Sequence, residues 1–287
     1  MQLKETHIVP ELENSIRFQE YAVGIFKIIP TKSGIKKAIK KELIFINGNL
    51  ASTSKYISGN EKIELFQTEN TASFKRLELD IEVLFEDDYL AIIFKPSGII
   101  VSGNKFVTVA NGLPKNLKKS TQYDAVKPQP IHRLDYPTSG VLLIGKTRSS
   151  INKLSEIFKN KEIKKTYFAV TIGKMNTKGK LNFSIDTKNA RTEYEVLKSE
   201  PSKRFEYLNL VKLEPKTGRK HQLRKHLHAI SNPILGDKEY YLKNSILNGK
   251  GMYLHAYSLN FIHPITKEKI VVHKDLPKKF KKIFPDF

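Results

Sequence analysis

From residue 80 onward the apolar residues of this chain fall into short runs, and that texture constrains the fold more than any other feature. The runs are Ile81 to Phe85, Tyr89 to Phe94, Val141 to Ile144, Thr166 to Ile172, Glu193 to Lys198 and Tyr207 to Leu213. Runs of this length, bounded by turn residues, read as strands. Glu86-Asp87-Asp88 separates the first two as a hairpin would, and Lys95-Pro96-Ser97-Gly98 ends the second. Helical spacing is kept by Ile151, Leu154, Ile157 and Phe158, which Ser150 can cap, and by Leu223, Leu227 and Ile230. Many strands with few helices between them predict an α+β fold with a mixed, largely antiparallel sheet. No internal repeat is present.

The first seventy residues have a different texture. A helix is expected from about Ser15 to Phe26, a turn at Ile29 to Lys32, and a second helix from Ser33 to Glu42. On that second helix Ile35, Ala38 and Ile39 share one side, while Lys36, Lys37, Lys40 and Lys41 fall mostly on others. A strand from Leu43, the Asn47-Gly48 turn and an apolar alternation at Ile63 and Leu65 complete a small α/β unit. Residues 67 to 79 are polar and lack periodicity, so they are read as a linker between domains at 1–70 and 78–287. The stretch from Gly103 to Gln129, with lysines at 105, 115, 118, 119 and 127, is expected to be a long surface loop with one short helix.

The 287 residues carry 50 Lys and Arg against 29 Asp and Glu, a net charge of +21. A polyanion, above all nucleic acid, is the partner such a charge selects. No apolar stretch is long enough to span a bilayer, and no signal-peptide pattern opens the chain. Zero cysteines exclude disulfides, thiolate metal sites and a cysteine nucleophile. A cytoplasmic protein is expected, one that meets nucleic acid rather than a membrane, with no obligate protein partner implied.

Two clusters carry chemistry. The first, His132-Arg133-Leu134-Asp135-Tyr136-Pro137-Thr138-Ser139-Gly140, places a carboxylate on a loop before a buried-type strand. Taken alone, Asp135 also fits an ordinary turn beside a surface arginine. The second runs from Thr217 to Leu227 and is followed by Pro233-Ile234-Leu235-Gly236-Asp237. It opens with a turn and continues as a helix, with His221, Arg224 and His228 gathered opposite the apolar face. The competing reading of that side is a solvated basic face.

Together these clusters resemble the RNA pseudouridine synthases of the large-subunit ribosomal A type. The resemblance spans most of residues 80 to 272 and includes Lys95-Pro96-Ser97-Gly98, the His-Arg-Leu-Asp-x-x-Thr-Ser-Gly motif, Lys165-Thr166-Tyr167-Phe168-Ala169 and the 217–237 block. The N-terminal pattern resembles the S4 RNA-binding domain, with Arg17, Lys36, Lys37, Lys40 and Lys41 as the phosphate contacts it implies. For the larger domain it implies Asp135 as the essential carboxylate, Tyr167 as the active-site tyrosine and Arg224 as the cationic partner. Arg133, His132, Thr138, Arg219 and His221 are the implied substrate-binding residues. This chain departs from the family pattern at Phe94, where Asn is common, and at Tyr136-Pro137, where a charged pair is commoner.

Uridine isomerisation moves uracil from an N1 to a C5 glycosidic bond on the same ribose carbon, so no cofactor or metal is expected. Asp135 could attack the anomeric carbon, add to C6 of the base, or take a sugar proton; the sequence leaves all three open. Each requires a carboxylate in a water-poor pocket, where an adjacent guanidinium favours its charged form. The target nucleotide must also leave its stack. The rival readings are an inert RNA-binding protein of ribosome assembly, a metal-dependent nuclease using His221, His226 and His228, and a serine hydrolase using Ser139.

Overall fold

The computed structural model describes residues 1–67, 77–243, 245–247 and 249–287. Two compact units emerge, Met1–Lys75 and Arg76–Phe287. The linker expected at 67 to 79 lies, from 68 to 76, outside the described residues.

The first unit contains β1 (Gln2–Ile8), β2 (Ile16–Arg17), α1 (Phe18–Tyr21), α2 (Lys32–Lys40), β3 (Ile44–Ile46), β4 (Asn49–Leu50), β5 (Tyr56–Ile57) and β6 (Lys62–Gln67). Four strands form a sheet in the order β1-β6-β3-β4, and β2 pairs with β5. The helix expected from Ser15 to Phe26 is instead a two-residue strand, a single helical turn and a loop. Arg17 offers no capping side-chain bond, and Gly24 takes a φ of +85° that ends helical geometry. By contrast, α2 is capped by Thr31, whose hydroxyl accepts the Gly34 N–H at 3.1 Å. Its Ile35 and Ala38 bury against Phe18, Phe26, Ile44 and Ile63, which leaves Lys36, Lys37, Lys40 and Lys41 exposed. Asn47 and Gly48 both hold positive φ and join β3 to β4.

The second unit contains β7 (Val83–Glu86), β8 (Leu90–Lys95), α3 (Val109–Asn116), β9 (Ala125–Pro130), β10 (Ser139–Thr147), α4 (Arg148–Lys159), β11 (Lys164–Ile172), β12 (Lys178–Leu181), β13 (Thr192–Ser202), β14 (Glu206–Pro215), α5 (Gln222–Ala229), β15 (Leu254–Ile262), β16 (Lys269–His273) and α6 (Lys278–Lys281). The main sheet runs β12-β13-β14-β11-β15-β10-β8-β7, with β16 added to β15 and β9 to β10. Pairing is antiparallel except that β10 meets β15 in parallel over Ser139 and Gly140. This is the mixed, largely antiparallel α+β sheet that the short apolar runs predict. All nine residues of β10 are buried, which is why its centre, Val141 to Ile144, is an unbroken apolar run.

Local chemistry accounts for the details. Asp87 accepts the Tyr89 and Leu90 N–H groups at 2.7 and 2.8 Å and so closes the β7–β8 hairpin. The cap of α4 is Thr147 rather than Ser150: the Thr147 hydroxyl accepts the Ser150 N–H at 3.1 Å, and Ser150 Oγ accepts the Thr147 N–H at 3.3 Å. That reciprocal capping box starts the helix three residues earlier than the apolar stripe suggests. At Gly140, with φ +129°, an added Cβ would lie 2.1 Å from the Ala256 carbonyl oxygen. The close approach of β10 and β15 therefore requires glycine there. The 103–129 stretch holds α3 and most of β9, so it is more regular than a loop.

Candidate active site

The loop 132–138 enters β10, Tyr167 lies on β11 with β15 between the two strands, and α5 presents Arg224. Sheet order and a helix packed by Leu223 and Leu227 thus bring three distant segments to one place. There a cleft of about 440 Å³ is lined by Asp135, Tyr167 and Arg224, and also by His132, Arg133, Thr138, Arg219 and His221. A second cavity of about 700 Å³ shares Arg133, Asp135, His221 and Arg224 with it. Asp135 stands where the two meet.

Among the described residues its carboxylate makes no hydrogen bond, and its ion pairs are long: Oδ2 lies 3.6 Å from Arg224 Nη1 and Oδ1 lies 3.7 Å from His221 Nε2. Those distances permit Coulombic attraction but exceed hydrogen-bond length. Arg224, only 4% exposed, is held from the other side. Its Nε and Nη2 donate to Asp237 at 2.6 and 2.8 Å, and Nη2 also donates to Glu239 at 3.1 Å. Its guanidinium lies 4.8 Å from the centre of the Tyr240 ring. Burial works against the Arg224 charge, but the Asp237 hydrogen bonds and the surrounding carboxylates outweigh it and hold its pKa above the ordinary value. The solvated-basic-face reading of this helix is therefore overturned at Arg224.

His221 is not part of the helix. It is the N-cap, at φ +54°, and its Nδ1 lies 3.0 Å from the Tyr240 hydroxyl and 3.3 Å from Glu239. His226, on α5 itself, is buried between Thr192 Oγ1 at 3.0 Å and the Phe183 carbonyl at 3.2 Å. It belongs to the scaffold, and among the described residues no three His, Cys, Asp or Glu side chains are placed to share a metal ion.

Tyr167 is pushed above the ordinary tyrosine range by burial and then by the Asp135 charge, so its hydroxyl keeps its proton. His132 stacks on Phe158 with ring centres 4.8 Å apart, and its Nε2 accepts the Leu143 N–H at 3.2 Å. Burial and then the charge of Lys165 lower its pKa to about 4. The ring is therefore neutral and fixes the loop's entry. Thr138 lines the cleft, but its Oγ1 is buried with no hydrogen-bond partner among the described residues. Arg133 is exposed on the rim, and Arg219 is anchored by its Nε donating to Asn189 O at 3.0 Å. Arg17, in the first unit, donates from Nε to the Tyr56 hydroxyl at 3.0 Å.

Several contributors were not singled out from sequence. Lys95 is fully buried, and its Nζ donates to the carbonyls of Pro96 at 2.8 Å, Tyr136 at 3.4 Å and Thr138 at 2.7 Å. It pins both ends of the Tyr136-Pro137-Thr138 turn from beneath. Burial lowers its pKa to about 8, against the opposing charge of Asp135. Gln222 accepts from Thr217 Oγ1 and the Arg219 N–H and donates to Arg191 O and Thr192 Oγ1, at 2.7 to 3.0 Å. Both lie inside the motifs that carry the resemblance, which was the available signal; so does Asp237.

Comparison with known proteins agrees with this geometry. The family described as RNA pseudouridylate synthase matches residues 89–229. A protein of Pasteurella multocida (strain Pm70) named ribosomal large subunit pseudouridine synthase C is 30% identical over 96% of this chain and 91% of its own length. One of Haemophilus influenzae named tRNA pseudouridine synthase C is 32% identical over 72% of this chain and 98% of its own. The solved structure of human RNA pseudouridylate synthase domain containing 4 superimposes with a TM-score of 0.56 at 26% identity, over 69% of this chain and 90% of that one. Identity at that level across nearly the full length of both chains, on the same fold, places this chain in the RNA pseudouridine synthase family.

Proposed function

We propose that this chain isomerises specific uridines of structured ribosomal or transfer RNA in the cytoplasm, with Asp135 as the essential carboxylate. The observation that carries this is the Asp135–Arg224 arrangement: a carboxylate free of short hydrogen bonds among the described residues, facing a guanidinium that two other carboxylates hold in place. Its oxygens remain available to a substrate atom, and the neighbouring cation keeps the charge favourable in a partly water-excluded cleft.

In the reaction the N1–C1′ bond breaks, the base turns, a C5–C1′ bond forms, and the hydrogen on C5 leaves to solvent while N1 gains one. Tyr167 offers the base an aromatic wall and a protonated hydroxyl. Arg133, on the rim, is suited to the space a flipped nucleotide vacates. His132, Thr138, Arg219 and His221 line the remaining substrate surface. The first unit adds RNA affinity in the manner of an S4 domain, through Arg17, Lys36, Lys37, Lys40 and Lys41. The relatives named for ribosomal and transfer RNA support both substrate classes.

The test follows from the lost C5 hydrogen. RNA from cells lacking the gene, labelled with tritium at uridine C5, should release label to water with the wild-type protein in the presence of a chelator. Asp135→Asn should release essentially none while its Kd stays within about a few-fold, since binding rests on many phosphate contacts. Release at the wild-type rate would make Asp135 a turn residue.

A further inference from the structure

Beyond the cleft, on the side of α4 and away from the second cavity, the wall formed by Phe158 and Lys165 continues into a groove of about 370 Å³. Its cations are Lys159 and Lys161 at the end of α4, Lys165 on β11, and Arg219 on the opposite turn; no carboxylate lines it. Neighbouring lysines are neutralised: Lys164 lies 3.8 Å from Glu214, Lys216 is 3.0 Å from both Glu193 and Glu214, and Lys225 is 2.7 Å from Asp186. None of the four groove cations has such a pair among the described residues. The second cavity has the opposite character, since Asp237 and Glu239 balance the cations there.

We infer that this groove seats the phosphodiester backbone flanking the target uridine, so that the RNA strand leaves the cleft between the end of α4 and the 217–219 turn. The inference rests on the RNA-isomerase reading above and adds a direction to it. Four uncompensated cations along one channel are what a polyanionic strand requires, and an anion there displaces no existing partner. Contact is with backbone rather than base. Phe158 is already engaged by the His132 stack and by the Lys165 ammonium, 4.8 Å from its centre, and no Asn or Gln lines the groove. Arg219 arrives with its guanidinium oriented by Asn189 O. Burial also lowers the pKa of Lys165, which an arriving phosphate would reverse.

The test uses the full chain and the tritium-labelled RNA described above. Lys159→Gln with Lys161→Asn removes two exposed charges, and Asn suits the φ of +64° at 161. The matched control is Lys269→Gln with Lys267→Asn, where φ is +66°, at positions lining neither cleft nor groove. At about 0.7 per neutralised phosphate, the groove variant should flatten the slope of log kcat/KM against log salt by roughly 1.4. Its KM should rise at low salt, and the control should stay near wild type. A wild-type slope in the groove variant, or equal flattening in the control, would overturn the inference. Filter binding of the same RNA reads the same slopes without turnover, so failure of the groove is distinguishable from failure of the isomerase assignment.

Discussion

Asp237→Asn probes the support of Arg224 without touching Asp135. The Asp237 side chain is fully buried. One of its oxygens accepts Arg224 Nε–H; the other accepts Nη2–H and the backbone N–H groups of Glu239 and Tyr240, at 2.9 and 3.1 Å. Asparagine keeps the volume and one acceptor. Its amide nitrogen must face a donor in either orientation, and facing Nε–H loses fewer bonds. Breaking a buried ion pair costs about 3 to 5 kcal/mol. Because Glu239 and Asp135 still face the guanidinium, we expect the low end, about 3 kcal/mol. In a unit of this size 1 kcal/mol moves Tm by about 2 to 4 °C, so the variant should melt roughly 6 to 12 °C below wild type. A guanidinium displaced by about 1 Å should also lower turnover on the order of 100-fold. Circular dichroism reads the first and tritium release the second, with RNA Kd as a control that should change little. Glu239→Gln, at a half-exposed position, should cost less than about 1 kcal/mol. If Asp237→Asn melts and turns over like wild type, Asp237 does not support Arg224.

Three further outcomes are expected. Tyr167→Phe should keep RNA binding but slow tritium release, because it removes a hydroxyl that burial and Asp135 keep protonated; an unchanged rate would leave only the ring as functional. Replacing Lys36, Lys37, Lys40 and Lys41 by Ala should flatten the salt dependence of RNA binding by roughly 3 at about 0.7 per phosphate, and an unchanged slope would remove α2 from the RNA interface. His255 is fully buried and its pKa is lowered by burial from 6.5 to about 4. The unfolded chain therefore takes up this proton first as pH falls. The contribution to stability is complete above about pH 6.5 and is lost as pH falls from there through about 4, by at most about 3 kcal/mol. Urea midpoints should fall less steeply over that window in His255→Gln, and parallel curves would refute the assignment.

Features decided by neighbours in sequence were legible. The runs that became β8, β10, β11, β13 and β14 carry their burial in their composition, and Asp87 and Asn47-Gly48 mark turns by their own chemistry. Helix starts were less legible, because a cap depends on which of several hydroxyls is placed to accept: Thr147 and Ser150 are both plausible, and the structure uses them reciprocally. β1 was missed because it pairs with β6, more than fifty positions away, and its alternation alone is polar. The candidate site divides in the same way. Asp135, Tyr167 and Arg224 could be named from motifs, but the partners that hold them could not. Lys95 looks like a surface lysine before a proline until β8 pairs with β10 and places it under the turn.

The proposed role of Asp135 asks a carboxylate to be both fixed and reactive. An Asp positioned by its own short hydrogen bonds would have its lone pairs occupied and would have to break them to react. Here the constraint is applied elsewhere. Lys95 grips the carbonyls of Tyr136 and Thr138, Gly98 N–H donates to Tyr136 O at 2.8 Å, and Thr138 N–H closes the turn onto Asp135 O at 3.0 Å. The backbone at 135–138 is thus held through its carbonyls, while among the described residues the Asp135 carboxylate makes no hydrogen bond and its ion-pair distances are 3.6 and 3.7 Å. Arg224 follows the same plan: its Nε and Nη2 donors are committed to Asp237 and Glu239, and Nη1 faces Asp135 across the gap. Preorganisation of this kind supplies charge without consuming the acceptor sites that chemistry needs.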